Sequence, residues 1–302
     1  MSEILIRTSE LSKEFRDKKA VDGVSLNIRS GSIYGLIGRN GAGKTTFMRM
    51  ICGMTSPTSG EIIYKDGGAP DYGKIGALIE LPAINPKLSA FANLKLKCLA
   101  YGITDKNYMM EKLELVGLSL VCHKKVEKYS LGMRQRLGIA LALVGDPEIL
   151  VLDEPVNGLD PQGIAEVRDL LTYLNGKYHT TVIISSHILE ELAKFVTDYA
   201  IIDNGKILEE STMEDLEKRC TDSIVIKSSE TDKVCEGLKK MGIEDFKVSG
   251  KKTILVYTDT SRTAEINMNL AKADVPIESI SVAGADLEEY FMRLTGTSSK
   301  IR

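Results

Sequence analysis

The sequence contains no tryptophan, and its aromatic fraction is only 6%. A chain so poor in aromatic side chains lacks the platforms on which nucleic-acid bases stack. It also lacks a strong net charge, because 39 Lys and Arg residues face 42 Asp and Glu residues, which leaves a formal charge of −3. Proteins that coat nucleic acid carry a strongly basic surface. We therefore expect no nucleic-acid partner.

Long apolar runs are missing as well. The longest, near residues 137–144, is interrupted by a glycine, whereas a membrane-spanning helix needs about 20 mostly apolar residues. The opening MSEILIRTSE lacks the basic patch and apolar run of a secretory signal. The five cysteines are scattered, with no pair at metal-ligand or redox spacing. These absences predict a chain without a membrane span in a reducing, cytoplasmic compartment.

What is present points to a folded chain of two parts. The 302 residues are 43% hydrophobic, enough for a substantial core. Short apolar segments alternate with helical patterns, which predicts an α/β fold with a parallel sheet. The composition changes after about residue 219, where the pattern becomes that of a small α+β module. We therefore predict one domain over residues 1–220 and a second over residues 221–302.

Hydrophobic periodicity gives approximate bounds for several elements. It predicts a strand over residues 24–28 and a helix over residues 44–54. It predicts mostly helical structure over residues 89–144, with breaks at glycines, and a helix over residues 187–195.

A glycine-rich loop matches G-x-x-x-x-G-K-[ST] and lies between a buried strand and a helix, the context that this motif requires. Its backbone N–H groups can surround phosphates, and the helix N-terminus favours anions. Lys44 supplies charge for the outer phosphates, the Thr45 hydroxyl can bind Mg²⁺, and Thr46 is placed near the α-phosphate. The candidate nucleotide-binding residues of the loop are Gly38, Arg39, Asn40, Gly41, Ala42, Gly43, Lys44, Thr45 and Thr46.

Two adjacent carboxylates, Asp153 and Glu154, follow a predicted buried strand at residues 149–152. In that position Asp153 could hold Mg²⁺, and Glu154 could act as general base toward water. A solvated strand end is the alternative, which the upstream phosphate loop disfavours. His187, after a further apolar strand, is either a structural histidine at a strand–helix junction or a sensor of the terminal phosphate.

A third motif, at residues 129–136, reads Y-S-L-G-M-R-Q-R. It resembles the signature of ABC-transporter ATPases, usually L-S-G-G-Q followed by R-Q-R. Ser130 and Gly132 are kept, whereas Tyr129, Leu131 and Met133 depart from the pattern. Ser130 can cap the following helix, so that its hydroxyl and the helix N-terminus form an anion site. Alone, the motif would be better described as a capped amphipathic helix, and the other family elements, in the same order along the chain, favour the signature.

The resemblance implies roles for further residues. Phe15 corresponds to the aromatic residue that stacks on adenine, with ordinary core packing as the equal alternative. Asp160 lies in the loop after the acids and would reach across a dimer interface. His187 matches the switch histidine of the family.

Glu80 stands where the family usually has a glutamine that contacts the Mg²⁺ shell. A glutamate there adds negative charge and can only accept hydrogen bonds from the metal's waters. Residues 79–82, Ile-Glu-Leu-Pro, together with Asn93 and Leu94, resemble the subgroup that exports, or gives immunity to, bacitracin and lantibiotic-type peptides.

The resemblance covers residues 1–220 and implies a P-loop ABC-type ATPase with a mixed parallel core sheet, an antiparallel β subdomain and a helical subdomain. It implies ATP and Mg²⁺ as cofactors. It also implies a dimer with a second nucleotide-binding subunit, identical or homologous, in which each ATP is enclosed between two chains. Opening and closing would drive a separate multi-span permease at the cytoplasmic face of the membrane, contacted by the helical region around residues 81–93.

Two other classes of protein remain as alternatives. One is a soluble ABC-type ATPase of DNA repair or translation, although the single cassette and the short helical region disfavour both. The other is a non-enzymatic nucleotide sensor, which the complete set of Asp153, Glu154 and His187 disfavours. Residues 221–302 carry no recognisable chemistry and are either a regulatory or dimerising module or a passive appendage.

Overall fold

The computed structural model describes residues 3–16, 18–65, 71–80, 82–219, 223–250, 252–283 and 287–295. The chain divides into two compact units, Met1–Met213 and Glu214–Arg302, each with its own buried apolar cluster. Each unit is therefore described by itself. Leu81, which belongs to the predicted permease contact, lies outside the described residues.

The elements of the first unit follow one another in this order: β1 (Ile4–Phe15), β2 (Lys18–Val24), β3 (Asn27–Arg29), β4 (Ile33–Ile37), α1 (Lys44–Ile51), β5 (Ser59–Tyr64), β6 (Ile75–Leu78), α2 (Ala90–Ala100), α3 (Lys106–Leu115), α4 (Leu131–Ala142), β7 (Ile149–Leu152), α5 (Pro161–Tyr178), β8 (Thr181–Ser186), α6 (Leu189–Ala193), β9 (Asp198–Asp203) and β10 (Lys206–Thr212). The helix α7 (Met213–Arg219) comes next.

A six-stranded sheet in the order β10-β9-β4-β8-β7-β6 forms the core of the first unit. Neighbouring strands are parallel, except that β10 runs antiparallel to β9. Every residue of β4, β7 and β8 is buried, as expected for parallel strands covered on both faces. The segments that follow β4, β6, β7 and β8 leave the sheet at one edge, which is where open α/β sheets bind ligands.

A smaller antiparallel sheet pairs β1 with β2, β3 and β5. A polar network around the buried Tyr34 joins it to the core sheet. Tyr34 of β4 donates its hydroxyl to Glu210 Oε1 at 2.8 Å, and the same oxygen accepts the backbone N–H of Asn27 in β3 at 3.0 Å. Burial raises the pKa of Tyr34 well above its usual value, so the phenol stays protonated and continues to donate.

Helices α2, α3 and α4 pack together, and α4 also packs against β6. This approach is very close. A Cβ atom on Gly76 would collide with the carbonyl oxygen of Ala142, and one on Gly138 would lie 2.8 Å from Cβ of Pro82. Glycine at both positions therefore lets α4 lie directly against the strand that leads to Glu80.

The second unit contains β11 (Ser223–Lys227), α8 (Thr231–Lys240), β12 (Phe246–Ser249), β13 (Thr253–Val256), α9 (Thr263–Lys272), β14 (Ser279–Ala283) and α10 (Leu287–Leu294). Its antiparallel sheet has the order β12-β13-β11-β14. Ile224 and Ile254 of the sheet share a core with Leu238 of α8 and Leu270 of α9. This β-α-β-β-α-β arrangement is of the ferredoxin-like type.

The predicted fold class is confirmed, since the mixed parallel core, the antiparallel sheet and the helical region are all present. The predicted strand over residues 24–28 is wrong. There β2 ends at Val24 and β3 begins at Asn27, because the Leu26 N–H donates to the Thr8 hydroxyl (2.9 Å) instead of continuing a ladder.

Two predicted helices and one stretch predicted as mostly helical extend too far. The helix over residues 44–54 stops at Ile51, since Gly53 has a φ of 68° and ends it. The helix over residues 187–195 is only α6, because the Ile188 N–H is bound by the Ser186 hydroxyl in a preceding turn. Residues 116–130, within the predicted helical stretch, contain no α-helix.

The predicted helical region around residues 81–93 needs the same correction. Residues 82–89 are not helical, and α2 begins only at Ala90. Ser89 caps that helix by accepting the N–H of Ala92 at 3.1 Å. Asn93 holds the loop from the helix side, because its Oδ1 accepts the N–H of Asn85 at 2.8 Å.

The Tyr34 network predicts a stability effect. Tyr34→Phe removes the hydrogen bond from the buried Tyr34 side chain to the exposed Glu210 carboxylate, so we expect the free energy of unfolding to fall by about 1 kcal/mol. Tyr72→Phe, at a half-exposed position, is the matched control and should change it by less than about 0.5 kcal/mol. Urea unfolding curves of both variants measure this, and equal midpoints for Tyr34→Phe and the unmodified chain would contradict the network's importance.

Candidate nucleotide-binding site

The register of the core sheet brings the predicted motifs to one edge. Ile37 at the end of β4 pairs with Ser186 of β8, and Leu152 at the end of β7 pairs with Ile184. The phosphate loop that follows β4 and the acids that follow β7 therefore emerge on either side of β8. The residues that the sequence separates by more than a hundred positions meet here.

The phosphate loop, residues 38–43, has a backbone that requires glycine. A Cβ atom on Gly38 would collide with the carbonyl oxygen of Ile202, and Gly43 has a φ of 112°. No side chain caps the N-terminus of α1, and its first turn has no acidic residue. The exposed loop residues are Arg39, Asn40 and Gly41. An uncapped helix N-terminus behind a tight glycine loop suits the phosphates of a nucleotide.

Lys44 is nearly buried, with 5% of its side chain exposed. Its Nζ donates to the carbonyl oxygens of Gly38 (2.6 Å) and Arg39 (3.1 Å) and lies 3.1 Å from Glu154 Oε1. Three oxygen atoms of the protein thus lie around this ammonium, in the kind of surroundings that the oxygens of a phosphate would also supply. The contact with Glu154 joins the phosphate loop directly to the second motif.

Thr45, Asp153 and Ser185 form the next part of the site. The Thr45 hydroxyl donates to Asp153 Oδ2 at 2.7 Å, and the Ser185 hydroxyl donates to Oδ1 at 2.6 Å. Hydroxyl and carboxylate oxygens are ligands that Mg²⁺ prefers. Among the described residues no three His, Cys, Asp or Glu side chains converge on one point. The donor set therefore fits Mg²⁺ that shares its remaining positions with phosphate and water.

Glu154 is fixed from several sides. Its backbone φ is 47°, and its N–H donates to the Ser185 hydroxyl at 2.9 Å. Its Oε2 lies 2.9 Å from Nδ1 of His187, and because an ionised carboxylate only accepts, this contact assigns the proton to Nδ1. A cavity of about 170 Å³ lies beside Glu154 and His187 and also touches Gly158 and Leu159. That space could admit water next to both side chains.

The signature residues lie against the loop that follows Asp153 and Glu154. The Ser130 hydroxyl caps α4 by accepting the N–H of Met133 at 3.2 Å. A Cβ atom on Gly132 would lie 3.6 Å from the Leu159 side chain, an ordinary contact distance. Asp160 caps α5, with Oδ1 accepting the N–H of Gly163 at 3.0 Å. The predicted helix cap at Ser130 is confirmed.

In the described residues, Ser130 makes no hydrogen bond with Lys44 or Thr45. Phe15, at the end of β1, is 51% exposed with Lys13 Nζ 5.2 Å from its ring centre, so the alternative of core packing is wrong. The carboxylate of Glu80 contacts Arg49 instead of Asp153 or Thr45, with Oε1 and Nη2 2.6 Å apart.

The sequence analysis missed two residues of this region. Ser185 is fully buried and bridges Asp153 and Glu154, yet it appears in the sequence only as the last polar position of an apolar strand. Arg49 is one of several basic residues on an ordinary helix. Only its spatial neighbour Glu80 distinguishes it.

Comparison with known proteins decides the family. A model described as "ABC transporter" matches residues 21–157, and one described as "AAA domain, putative AbiEii toxin, Type IV TA system" matches residues 125–193. The bacitracin transport ATP-binding protein BcrA of Bacillus licheniformis is 39% identical over 298 residues, covering 97% of each chain. The chain belongs to the ABC transporter ATP-binding proteins. As an ABC ATPase it binds and hydrolyses ATP.

Other relatives of this ABC ATPase extend the comparison. The uncharacterized ABC transporter ATP-binding protein YcbN of Bacillus subtilis is 39% identical over 301 residues and covers 98% of both chains. The lantibiotic transport ATP-binding protein SrtF of Streptococcus pyogenes is 39% identical over 206 residues, covering 68% of this chain and 89% of SrtF. The bacterial ABC transporter cassette MJ0796, solved as a dimer, matches with a TM-score of 0.63 and 26% identity over 69% of this chain and 99% of that one.

The Ser185 bridge generates a prediction for this ABC ATPase. Ser185→Ala removes the donor to Asp153 and the acceptor of the Glu154 N–H, so we expect ATP turnover to fall about tenfold. Ser186→Ala, which removes only a turn contact next to it, is the control and should lower turnover less. Phosphate release assays with both variants make the comparison, and equal turnover in the two would exclude a special role for Ser185.

Proposed function

We propose that this ABC ATPase is the motor subunit of a transporter for peptide antibiotics, and that it works as a dimer bound to a separate membrane permease. The observation that supports the motor role best is the contact between Lys44 Nζ and Glu154 Oε1 at 3.1 Å. It brings a phosphate-binding ammonium and a carboxylate suited to water activation into one site.

In this proposal the phosphate loop holds ATP through its backbone N–H groups and the N-terminus of α1. Lys44 exchanges its contact with Glu154 for the outer phosphates of the nucleotide. Thr45 and Asp153 hold Mg²⁺, which supplies charge neutralisation at the phosphates when bound. Phe15, exposed at the end of β1, is positioned to stack on the adenine ring.

Glu154 accepts the proton of the attacking water once Lys44 has moved to the phosphates. His187, which donates its Nδ1 proton to Glu154, orients that carboxylate, and a contact of Nε2 with the terminal phosphate would require the imidazolium form, in which both ring nitrogens donate. The cavity beside both residues is the space for the water. These assignments make Glu154 the general base and His187 its positioning and phosphate-sensing partner.

The dimer completes the site. Because Ser130 makes no hydrogen bond with Lys44 or Thr45 in its own chain, we assign Ser130 and Gly132 to the ATP held by a second subunit, identical or homologous. The capped N-terminus of α4 then faces the phosphates, and Asp160 lies next to the same interface. The cassette MJ0796 was solved as a dimer, which supports this arrangement.

The permease contact is proposed at the loop of residues 82–89 and the start of α2, beside Glu80. In the described part of the chain no helix is long and apolar enough to cross a membrane. A separate spanning subunit would hold this chain at the cytoplasmic face of the membrane. Relatives named for bacitracin and lantibiotic transport support a peptide antibiotic as cargo, with resistance by export as the outcome.

Lys44→Ala tests the phosphate site. The change removes the positive charge that would contact the outer phosphates, and it also leaves the Glu154 carboxylate without its cation. ATP affinity should therefore fall about tenfold to a hundredfold. The control is Lys74→Ala, which removes an exposed lysine just before β6 that pairs with Glu148. This variant should bind ATP as the unmodified protein does. Titration with a fluorescent ATP analogue measures both, and unchanged affinity in Lys44→Ala would rule out the assigned phosphate contact.

Glu154→Gln tests the base and the dimer together. Glutamine keeps the size of the side chain but accepts no proton, so ATP should bind without turnover and hold two subunits together. Size-exclusion chromatography with light scattering should show the mass doubling in ATP and returning to that of one chain in ADP. Normal turnover by this variant would overturn the role of Glu154, and a constant mass would overturn the ATP-bound dimer.

A further inference from the structure

Glu80 occupies an unusual place at the end of β6. Leu78 pairs with Leu152 of β7, and the N–H of Asp153 donates to the Leu78 carbonyl at 2.8 Å. Glu80 and Asp153 therefore leave neighbouring strands at the same edge of the sheet. The chain turns at Glu80 with a φ of 61°, a conformation that glutamate rarely adopts.

The carboxylate of Glu80 is held by α1. Arg49 Nη2 donates to Glu80 Oε1 at 2.6 Å. Arg49 and Thr45 are four residues apart on one face of this helix. Thr45 contacts Asp153, whereas Arg49 contacts Glu80. Helix α1 is thus joined to two adjacent strand ends by two side-chain contacts, one turn apart.

The segment after Glu80 lies against a second helix. Pro82 and Leu78 both touch the position of Gly138 in α4, where a Cβ atom would lie 2.8 Å from Pro82 Cβ and 3.0 Å from Leu78 Cδ1. Helix α4 begins at the residue after Ser130. The turn at Glu80 therefore stands between the helix of the phosphate loop and the helix of the signature motif.

We propose that Arg49 is a positioning residue, which transmits the occupancy of the nucleotide site to the loop of residues 82–89 through its ion pair with Glu80. The proposal rests on the proposed function, because it assumes that ATP binds at the phosphate loop. A nucleotide that brings Mg²⁺ would engage the Thr45 hydroxyl and the Asp153 carboxylate as ligands, and this would change the first contact of α1. The second contact, between Arg49 and Glu80, carries that change into the turn and on to Pro82.

The exposure of the pair suits such a role. The side chains of Arg49 and Glu80 are 40% and 59% exposed, and ion pairs in contact with solvent are weak enough to break and re-form. We therefore expect a modest effect of about two- to fivefold on the opening of the loop when the pair is lost. An ion pair of this strength shifts the equilibrium between open and closed loop conformations but does not hold the loop in one of them.

Hydrogen exchange of the backbone amides of residues 83–85 and 87–89 tests the proposal in the full chain, since residues 82 and 86 are prolines without an amide hydrogen. Without nucleotide, Arg49→Gln and Glu80→Gln should each exchange about two- to fivefold faster there than the unmodified protein. Adding AMP-PNP with Mg²⁺ should alter this exchange in the unmodified protein, and each variant should lose at least half of that response. The double variant should be no worse than either single variant, because one contact is removed in all three.

Two controls accompany the experiment. Arg49→Lys keeps the charge and should retain at least half of the nucleotide response. Lys74→Gln breaks an ion pair with Glu148 of similar exposure, with Nζ and Oε1 2.8 Å apart, at the opposite end of β6. It should behave as the unmodified protein, with the same AMP-PNP affinity.

The proposal is overturned if Arg49→Gln responds to AMP-PNP as the unmodified protein does. Additive effects in the double variant, a missing response in the unmodified protein or an equal loss in Lys74→Gln would overturn it as well. Failure of AMP-PNP to bind would instead contradict the proposed function. In that case the exchange rates without nucleotide still decide whether Arg49 holds the loop.

Discussion

A buried positive charge at Lys44 governs this nucleotide site. Burying an ammonium is costly unless oxygen atoms surround it, and two loop carbonyls with the Glu154 carboxylate supply them here. The glycine-rich loop supplies the two carbonyl oxygens, and Glu154, whose backbone is left-handed, supplies the carboxylate. In the proposed function, phosphate oxygens would take the place of the Glu154 carboxylate beside this ammonium.

Much of the site could be predicted from the sequence, because its residues belong to three short motifs with a direct physical reason for each position. Lys44, Asp153, Glu154 and the caps Ser130 and Asp160 lie where local chemistry and strand order place them. The strand ends were predictable too, since fully buried parallel strands give continuous apolar runs. The specific roles of these residues remain predictions that the proposed variants address.

The remaining features depend on contacts between residues far apart in the chain. No local sequence pattern indicates the ion pair of Arg49 with Glu80 or the bridge made by Ser185. From the sequence alone, Arg49 cannot be distinguished from other basic residues on helices, nor Ser185 from other serines in strands. The irregular loop of residues 82–89 was mistaken for helix for a related reason. Its backbone is held by the Asn93 side chain, a partner that periodicity does not reveal.

The two glycines between α4 and β6 impose a restriction on how this chain can diverge. Every other amino acid adds atoms where Ala142 and Pro82 already stand. A larger residue at Gly138 would need a compensating change at position 82, whereas one at Gly76 would meet the backbone carbonyl of Ala142, which no change of side chain removes. The approach of α4 to β6 therefore restricts these two positions through packing alone.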